Sequence, residues 1–212
     1  MYTQHNEHEI IIPFFDGIDV SELNFLDIGA NDGISASNTR DLYLLGWGGC
    51  CVEPSVKAFS ILCDNYKNSE RIHLFNYGIS DSEGIFTFYE SRNWIGREDT
   101  PPAILSSLYP SHKNNFYGMN WEETESKFVT FDHFIKESPI KKFDFISIDV
   151  EGHDFIVLNQ IDFSEVRCKM VCLEYNRNQE TLELFKSYCG KYGMSEIHRN
   201  DDNVIFALKR GI

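Results

Sequence analysis

The sequence predicts an α/β fold, a doubly wound and mostly parallel sheet with helices on both faces. Three observations carry that prediction. Short apolar runs alternate with segments of helical spacing along most of the 212 residues. The first clear run, FLDIGANDG at 25–33, ends in a glycine loop of the kind that turns a strand into a helix. The last two runs flank the turn-prone NDDN, which adds an antiparallel edge to the sheet.

The elements follow in order. LNFLDIG (23–29) reads as a buried strand, and SASNTRDLYLLGW after it has helical spacing at Leu42 and Leu45. GGCCVEP (48–54) is a second strand stopped by Pro54, and Val56, Phe59, Leu62 and Tyr66 form the apolar stripe of the next helix. RIHLFNYGIS is a third strand. KFDFISIDVEG (142–152) is a fourth, continued by the helix HDFIVLNQI; KMVCLEYN (169–176) is a fifth, followed by the helix QETLELFKSYCGKYG. Two stretches break the rhythm. Residues 80–91 alternate like a hairpin arm after a turn at Glu83 and Gly84, and residues 92–126 look irregular and long enough to serve as a lid on the acceptor side. With 42% hydrophobic and 14% aromatic residues, the whole of 1–212 is expected to form one domain.

Charge narrows the partners. Acidic residues outnumber basic ones 33 to 19, for a net charge of -14, so a nucleic acid backbone or an anionic membrane surface would be repelled. No apolar run approaches the roughly 20 residues of a membrane span. The six cysteines show no CxxC pair and no zinc spacing, which points to buried thiols in a reducing cytosol and to a cytoplasmic protein.

The glycine loop lies where ligands of open parallel sheets bind, beyond the carboxyl ends of the strands. Gly29 and Gly33 permit a sharp turn, and Glu53, at the end of the next strand, can accept both hydroxyls of a ribose. A dinucleotide fingerprint starting at Gly29 needs glycine where Asn31 and Ile34 stand. Asp27 is an anion where a pyrophosphate wants none, yet it suits the ammonium group of a methionine moiety. S-adenosylmethionine therefore fits better than NAD. Asn76, Gly78 and Ile79 close the third strand where backbone amides can edge the adenine.

A second cluster, Asp149, Glu151 and His153, falls at the end of the fourth strand beside that loop. Two carboxylates that repel one another raise a pKa, a mark of functional sites. Transfer of a methyl group to an alcohol needs a group that takes its proton. His153 is the candidate base, with Asp149 nearest the transfer point and Glu151 orienting either of them. An alternative uses Mg²⁺ held by oxygen donors from Asp149, Glu174 and Asn176. Glu174 and Asn176 otherwise serve as substrate contacts. Trp94, just after the strand FTFYES, is an aromatic platform for an acceptor ring.

FLDIGANDGISA, VEPS, NYGISDSEG, VTFDHFI and FISIDVEGHDFIVL, in this order and spacing, resemble the FkbM-type S-adenosylmethionine-dependent methyltransferases across residues 23–176. The resemblance implies a class I methyltransferase fold, with Asp27, Gly29, Ala30, Asn31 and Gly33 along the methionine half of the cofactor and Glu53 on the ribose. It also implies O-methylation of a small-molecule or glycan acceptor, on a sugar or a related natural product. Phe131 departs from the family, which more often has leucine before the aspartate. Two rival readings are a NAD-dependent oxidoreductase and a non-catalytic cofactor-binding partner subunit. The intact IDVEGHD stretch argues against the second.

Overall fold

The computed structural model describes residues 2–95 and 105–209. The chain forms helix α1 (His8–Phe14), strand β1 (Asn24–Ile28), α2 (Arg40–Leu44), β2 (Gly48–Val52), α3 (Val56–Tyr66), β3 (Ile72–Phe75) and β4 (Gly78–Ile79). It continues with β5 (Gly84–Trp94), β6 (Met119–Val129), α4 (Phe131–Glu137), β7 (Phe145–Ile148), α5 (Asp154–Leu158), α6 (Phe163–Val166), β8 (Met170–Glu174), α7 (Gln179–Lys191), β9 (Met194–Arg199) and β10 (Asn203–Leu208).

Seven strands make the main sheet, in the order β3-β2-β1-β7-β8-β10-β9. β3 through β8 are mutually parallel, while β10 runs antiparallel to both β8 and β9. The expected antiparallel strand thus lies beside β8, with β9 outside it. Strands covered on both faces read as continuous apolar runs, and their alternation assigns each side chain to a layer. Leu26, Ile28, Cys50, Val52, Ile146 and Ile148 belong to one core. Phe25, Cys51, Phe145 and Cys172 belong to the other. All six cysteines are free thiols, and five of them are buried.

Three elements differ from the sequence reading. The helix expected after the glycine loop is confined to Arg40–Leu44, because Ala36 takes a left-handed φ of 53° and Ser37, not a helical turn, receives the amides of Thr39 and Arg40. The run RIHLFNYGIS divides: β3 stays in the main sheet, and β4 joins a second sheet of order β4-β6-β5. The inserted hairpin is therefore larger than 80–91. Its second arm, β6, runs antiparallel to β5 through the stretch that reads as irregular. MNWEETESKFV carries charge on exposed positions, so cross-strand pairing and not apolar alternation makes it a strand. Of the proposed lid 92–126, residues 96–104 lie outside the described residues.

Candidate active site

The ends of β1, β2, β4 and β7 converge on one cleft. β1 sits at the point where strand order reverses, between β2 and β7. Its exit loop and that of β7 are in such close approach that a Cβ on Gly29, at φ 88°, would stand 1.8 Å from the carbonyl oxygen of Asp149. Only glycine fits there. The cleft has an empty volume of about 880 Å³ including its mouth, within the range of small-molecule sites. Asp27, Gly29, Ala30, Asn31, Glu53, Gly78, Ile79, Asp149, Glu151 and His153 all line it.

On the β1 side, Asp27 is buried and its carboxylate accepts a 2.5 Å hydrogen bond from the Thr39 hydroxyl, which ties the 35–39 loop over the strand end. Burial raises its pKa to about 6, against the opposing effect of that hydrogen bond. Glu53 is 5% exposed. Its two carboxylate oxygens accept from the backbone amides of Ser55 at 2.7 Å and Asn31 at 2.9 Å, so the same residue closes the glycine loop and starts the next helix. Burial nonetheless pushes Glu53 up to about 8, with Glu90 and Asp27 adding repulsion. An acid this far from its ordinary value in a cleft marks a place that a ligand is built to satisfy.

On the β7 side the backbone is wound into a left-handed turn at Glu151 (φ 53°) and Gly152 (φ 93°). Asp154 holds that turn by accepting from the amides of Val150 at 3.1 Å and Gly152 at 3.0 Å, and the Ser107 hydroxyl donates to the Glu151 carbonyl at 2.8 Å. Asp149 and Glu174 are pushed well above the usual carboxylate range: Asp149 by burial and then by Glu151, against a hydrogen bond with Glu174, and Glu174 by burial and then by Asp149 and Glu151. Burial, followed by Asp154, lifts Glu151 to about 8. One oxygen from each of Asp149, Glu151 and Glu174 falls within 4.8 Å of the others. The imidazole of His153 is buried between two hydroxyls: Ser80 Oγ lies 3.1 Å from Nε2 and Tyr109 Oη lies 2.8 Å from Nδ1. Burial lowers its pKa, with Asp81 opposing, so the ring is neutral at neutral pH.

Five residues expected at the site stand elsewhere. Gly33 packs against Tyr66 and Leu62, where a Cβ would come within 2.4 Å of the tyrosine ring. Asn76 does not line the cleft and donates to the Glu53 and Pro54 carbonyls at 2.9 and 3.5 Å. Trp94 pairs with Met119 at the far end of the hairpin. Glu174 stands behind Asp149 and Glu151, and Asn176, at φ 46°, hydrogen-bonds Glu174. Phe88, Ser106, Leu108 and Phe128 also line the cleft, and Trp94 does not. Sequence reasoning also missed Ser80, His112 and Asp154: the contacts of Ser80 and His112 join distant segments, and the signal that could have found Asp154 is an acid opening a helix after a glycine turn.

This fold is the class I methyltransferase fold. Residues 27–193 match the family described as Methyltransferase FkbM domain. The chain belongs to that family. It is 28% identical over 163 residues to the 2-O-methyltransferase NoeI of Sinorhizobium fredii, an alignment covering 74% of this chain and 65% of that protein, so the chain spans slightly less than two thirds of this relative. Its fold is similar to methyltransferase FkbM of Methylobacillus flagellatus, with a TM-score of 0.55 at 16% identity over 90% of this chain and 45% of that one. It is also similar to the METTL16 methyltransferase domain, with a TM-score of 0.54 at 13% identity over 96% and 66% of the two chains. Among the described residues no helix is long and apolar enough to cross a membrane.

Proposed function

We propose that the chain is an S-adenosylmethionine-dependent O-methyltransferase acting on a hydroxyl of a sugar, glycan or related natural product. One observation carries the reading: a single cleft is lined by two buried acids suited to the cofactor, Asp27 and Glu53, and by a neutral buried imidazole suited to an alcohol, His153. Asp27 takes the methionine ammonium, the amides around Ala30 and Asn31 follow the methionine chain, and Glu53 accepts the ribose hydroxyls. Gly78 and Ile79 edge the adenine. The name of the NoeI relative, a 2-O-methyltransferase, supports oxygen as the acceptor atom.

Transfer is an in-line displacement. The acceptor oxygen bonds to the methyl carbon as the carbon–sulfur bond breaks, the electron pair stays on sulfur, and the hydroxyl proton passes to His153. In the tautomer this needs, Nδ1–H donates to the Tyr109 hydroxyl and Nε2 is the proton acceptor, with the acceptor hydroxyl displacing Ser80 Oγ from its place 3.1 Å from Nε2. Asp149 and Glu151 flank the transfer point. A shallow recess beyond His153, walled by Phe86, Tyr89, Leu108 and Tyr109, supplies the aromatic faces on which a sugar ring packs. The test is a mass gain of one methyl group on candidate glycosides incubated with protein and S-adenosylmethionine. Tight NAD binding with no response to S-adenosylhomocysteine would overturn the proposal.

A further inference from the structure

We infer that Asp149, Glu151 and Glu174 form a divalent-cation site of the Mg²⁺ and Mn²⁺ class beside the cleft that Asp149 and Glu151 line. The three acids come from two adjacent parallel strands and the turn after one of them, β7 and β8, and each offers an oxygen within 4.8 Å of the other two. Opposite ligands of a cation bound at about 2.1 to 2.4 Å lie about 4.2 to 4.8 Å apart, so the set closes on an ion without rearrangement of the strands.

Independent observations point to a ligand. Glu174 Oε2 is shut off from solvent with no hydrogen-bond partner among the described residues. The side chain of His112, nine-tenths buried, directs Nε2 at Glu151 Oε2 from 3.2 Å, so Glu151 is held by a partner while Glu174 Oε2 is not. Buried carboxylate oxygens are as a rule paired, and an acid trio with an unsatisfied oxygen is the arrangement a cation completes. The surroundings are those of a positioned ligand set. Asn176 hydrogen-bonds Glu174, Asp154 and Ser107 fix the turn that presents Glu151, and His112 stands behind Glu151 as its outer partner. All-oxygen ligands select a hard cation over zinc, and the -14 net charge draws cations to the cleft. The set is not the one read from the sequence, in which Asn176 was a ligand: Glu151 takes that place and Asn176 supports it from outside.

The inference rests on the acid geometry and not on the methyltransferase reading, although a cation here would polarise an acceptor hydroxyl brought to it. The test titrates Mn²⁺ into the full chain after EDTA treatment, followed by calorimetry and by loss of the free-ion electron paramagnetic resonance signal. One ion per chain is expected, displaced by excess Mg²⁺. Glu174→Gln, nearly equal in size, should weaken binding at least about tenfold and His112→Ala by about 10- to 100-fold, while the surface control Glu196→Gln changes nothing. Circular dichroism confirms that each variant is folded, and a rise of the wild-type melting temperature with Mn²⁺ gives a second readout. No saturable Mn²⁺ binding, or equal binding in wild type and Glu174→Gln, overturns the site and leaves the acids sharing protons instead. S-adenosylhomocysteine binding, measured on the same metal-free protein, separates failure of the cation site from failure of the functional proposal.

Discussion

If Glu53 holds the ribose as a carboxylate, binding of the cofactor must remove its proton, and the affinity must then depend on pH in a calculable way. In the free protein Glu53 titrates near 8 because burial outweighs the two amide donors. It is about one-eleventh ionised at pH 7 and about ten-elevenths at pH 9, so the Glu53-dependent part of the affinity rises about tenfold across that window, or about 1.4 kcal/mol. The ligand of choice is S-adenosylhomocysteine, measured by calorimetry at pH 7, 8 and 9 in buffers of differing ionisation enthalpy, which count protons directly. Wild type should release protons on binding, most strongly near pH 7. Glu53→Gln keeps the shape but sets an amide NH₂ against one of the backbone donors of Asn31 and Ser55. It should bind about 10- to 100-fold more weakly at pH 9, the loss of one or two charge-assisted hydrogen bonds. Its affinity should lose the Glu53-dependent rise. The ligand's own amino group titrates in the same range, but equally for both proteins, so the difference between them isolates Glu53. Identical pH profiles in wild type and variant would refute the assignment.

Further expectations concern the acceptor side and the fold. His153→Ala should lower kcat by about 10²- to 10⁴-fold with little effect on S-adenosylhomocysteine affinity, and Tyr109→Phe, which removes the hydroxyl on Nδ1, should shift the pH–rate profile without abolishing turnover. Unchanged profiles in both would take the imidazole out of the mechanism. Gly29→Ala places a Cβ against the Asp149 carbonyl and strains a left-handed backbone, so it should cost more than about 4 kcal/mol in denaturant unfolding; a loss under 1 kcal/mol would contradict the loop geometry. Asp27 and Glu53 have folded-state pKa values raised to about 6 and about 8, from 3.8 and 4.5. Their protonated forms thus contribute stability that is complete below pH 4 and lost as pH rises through 8. Metal-free, cofactor-free protein should therefore melt several degrees lower at pH 8.5 than at pH 5.5, and a melting temperature that rises over this interval would show that these acids are ionised when folded.

Periodicity and loop chemistry made the main sheet legible, because strands buried on both faces must be apolar throughout, as GGCCV and FISI are. The β1 and β7 loops were legible for the same kind of reason: Gly29, Glu53, Asp149 and His153 sit at strand ends whose position in the sheet is set by alternation alone. β6 was hidden, since a half-exposed strand bearing Glu122, Glu123 and Glu125 has no signal apart from its partner β5. Helix α1 was missed as well; HEIIIPF has Pro13 inside its last turn, and its side chains Ile11 and His8 are buried only by tertiary packing. Trp94 looked well placed because it follows FTFYES, but it ends β5 opposite Met119 and does not line the cleft. What reaches His153 instead is Tyr109, 44 positions away in sequence, and no local pattern encodes that pairing.

Residues 76–80 leave the main sheet and enter the small one within a span of five positions, touching both halves of the chemistry on the way. Asn76 braces the Glu53 carbonyl, and Ser80 reaches His153. β5 and β6 then follow this strut as a hairpin with its own pairing, β6 also pairing with β4. The molecule is in that sense divided for engineering: under the proposed function the hairpin can be exchanged for one with a different recess, provided that the graft begins after Ser80, ends before Thr130, the cap of α4, and keeps Ser107, Tyr109 and His112, which reach Glu151 and His153. A graft that cut inside the strut would alter cofactor grip and proton acceptance together, and selection for a new acceptor would then be confounded by loss of the reaction itself.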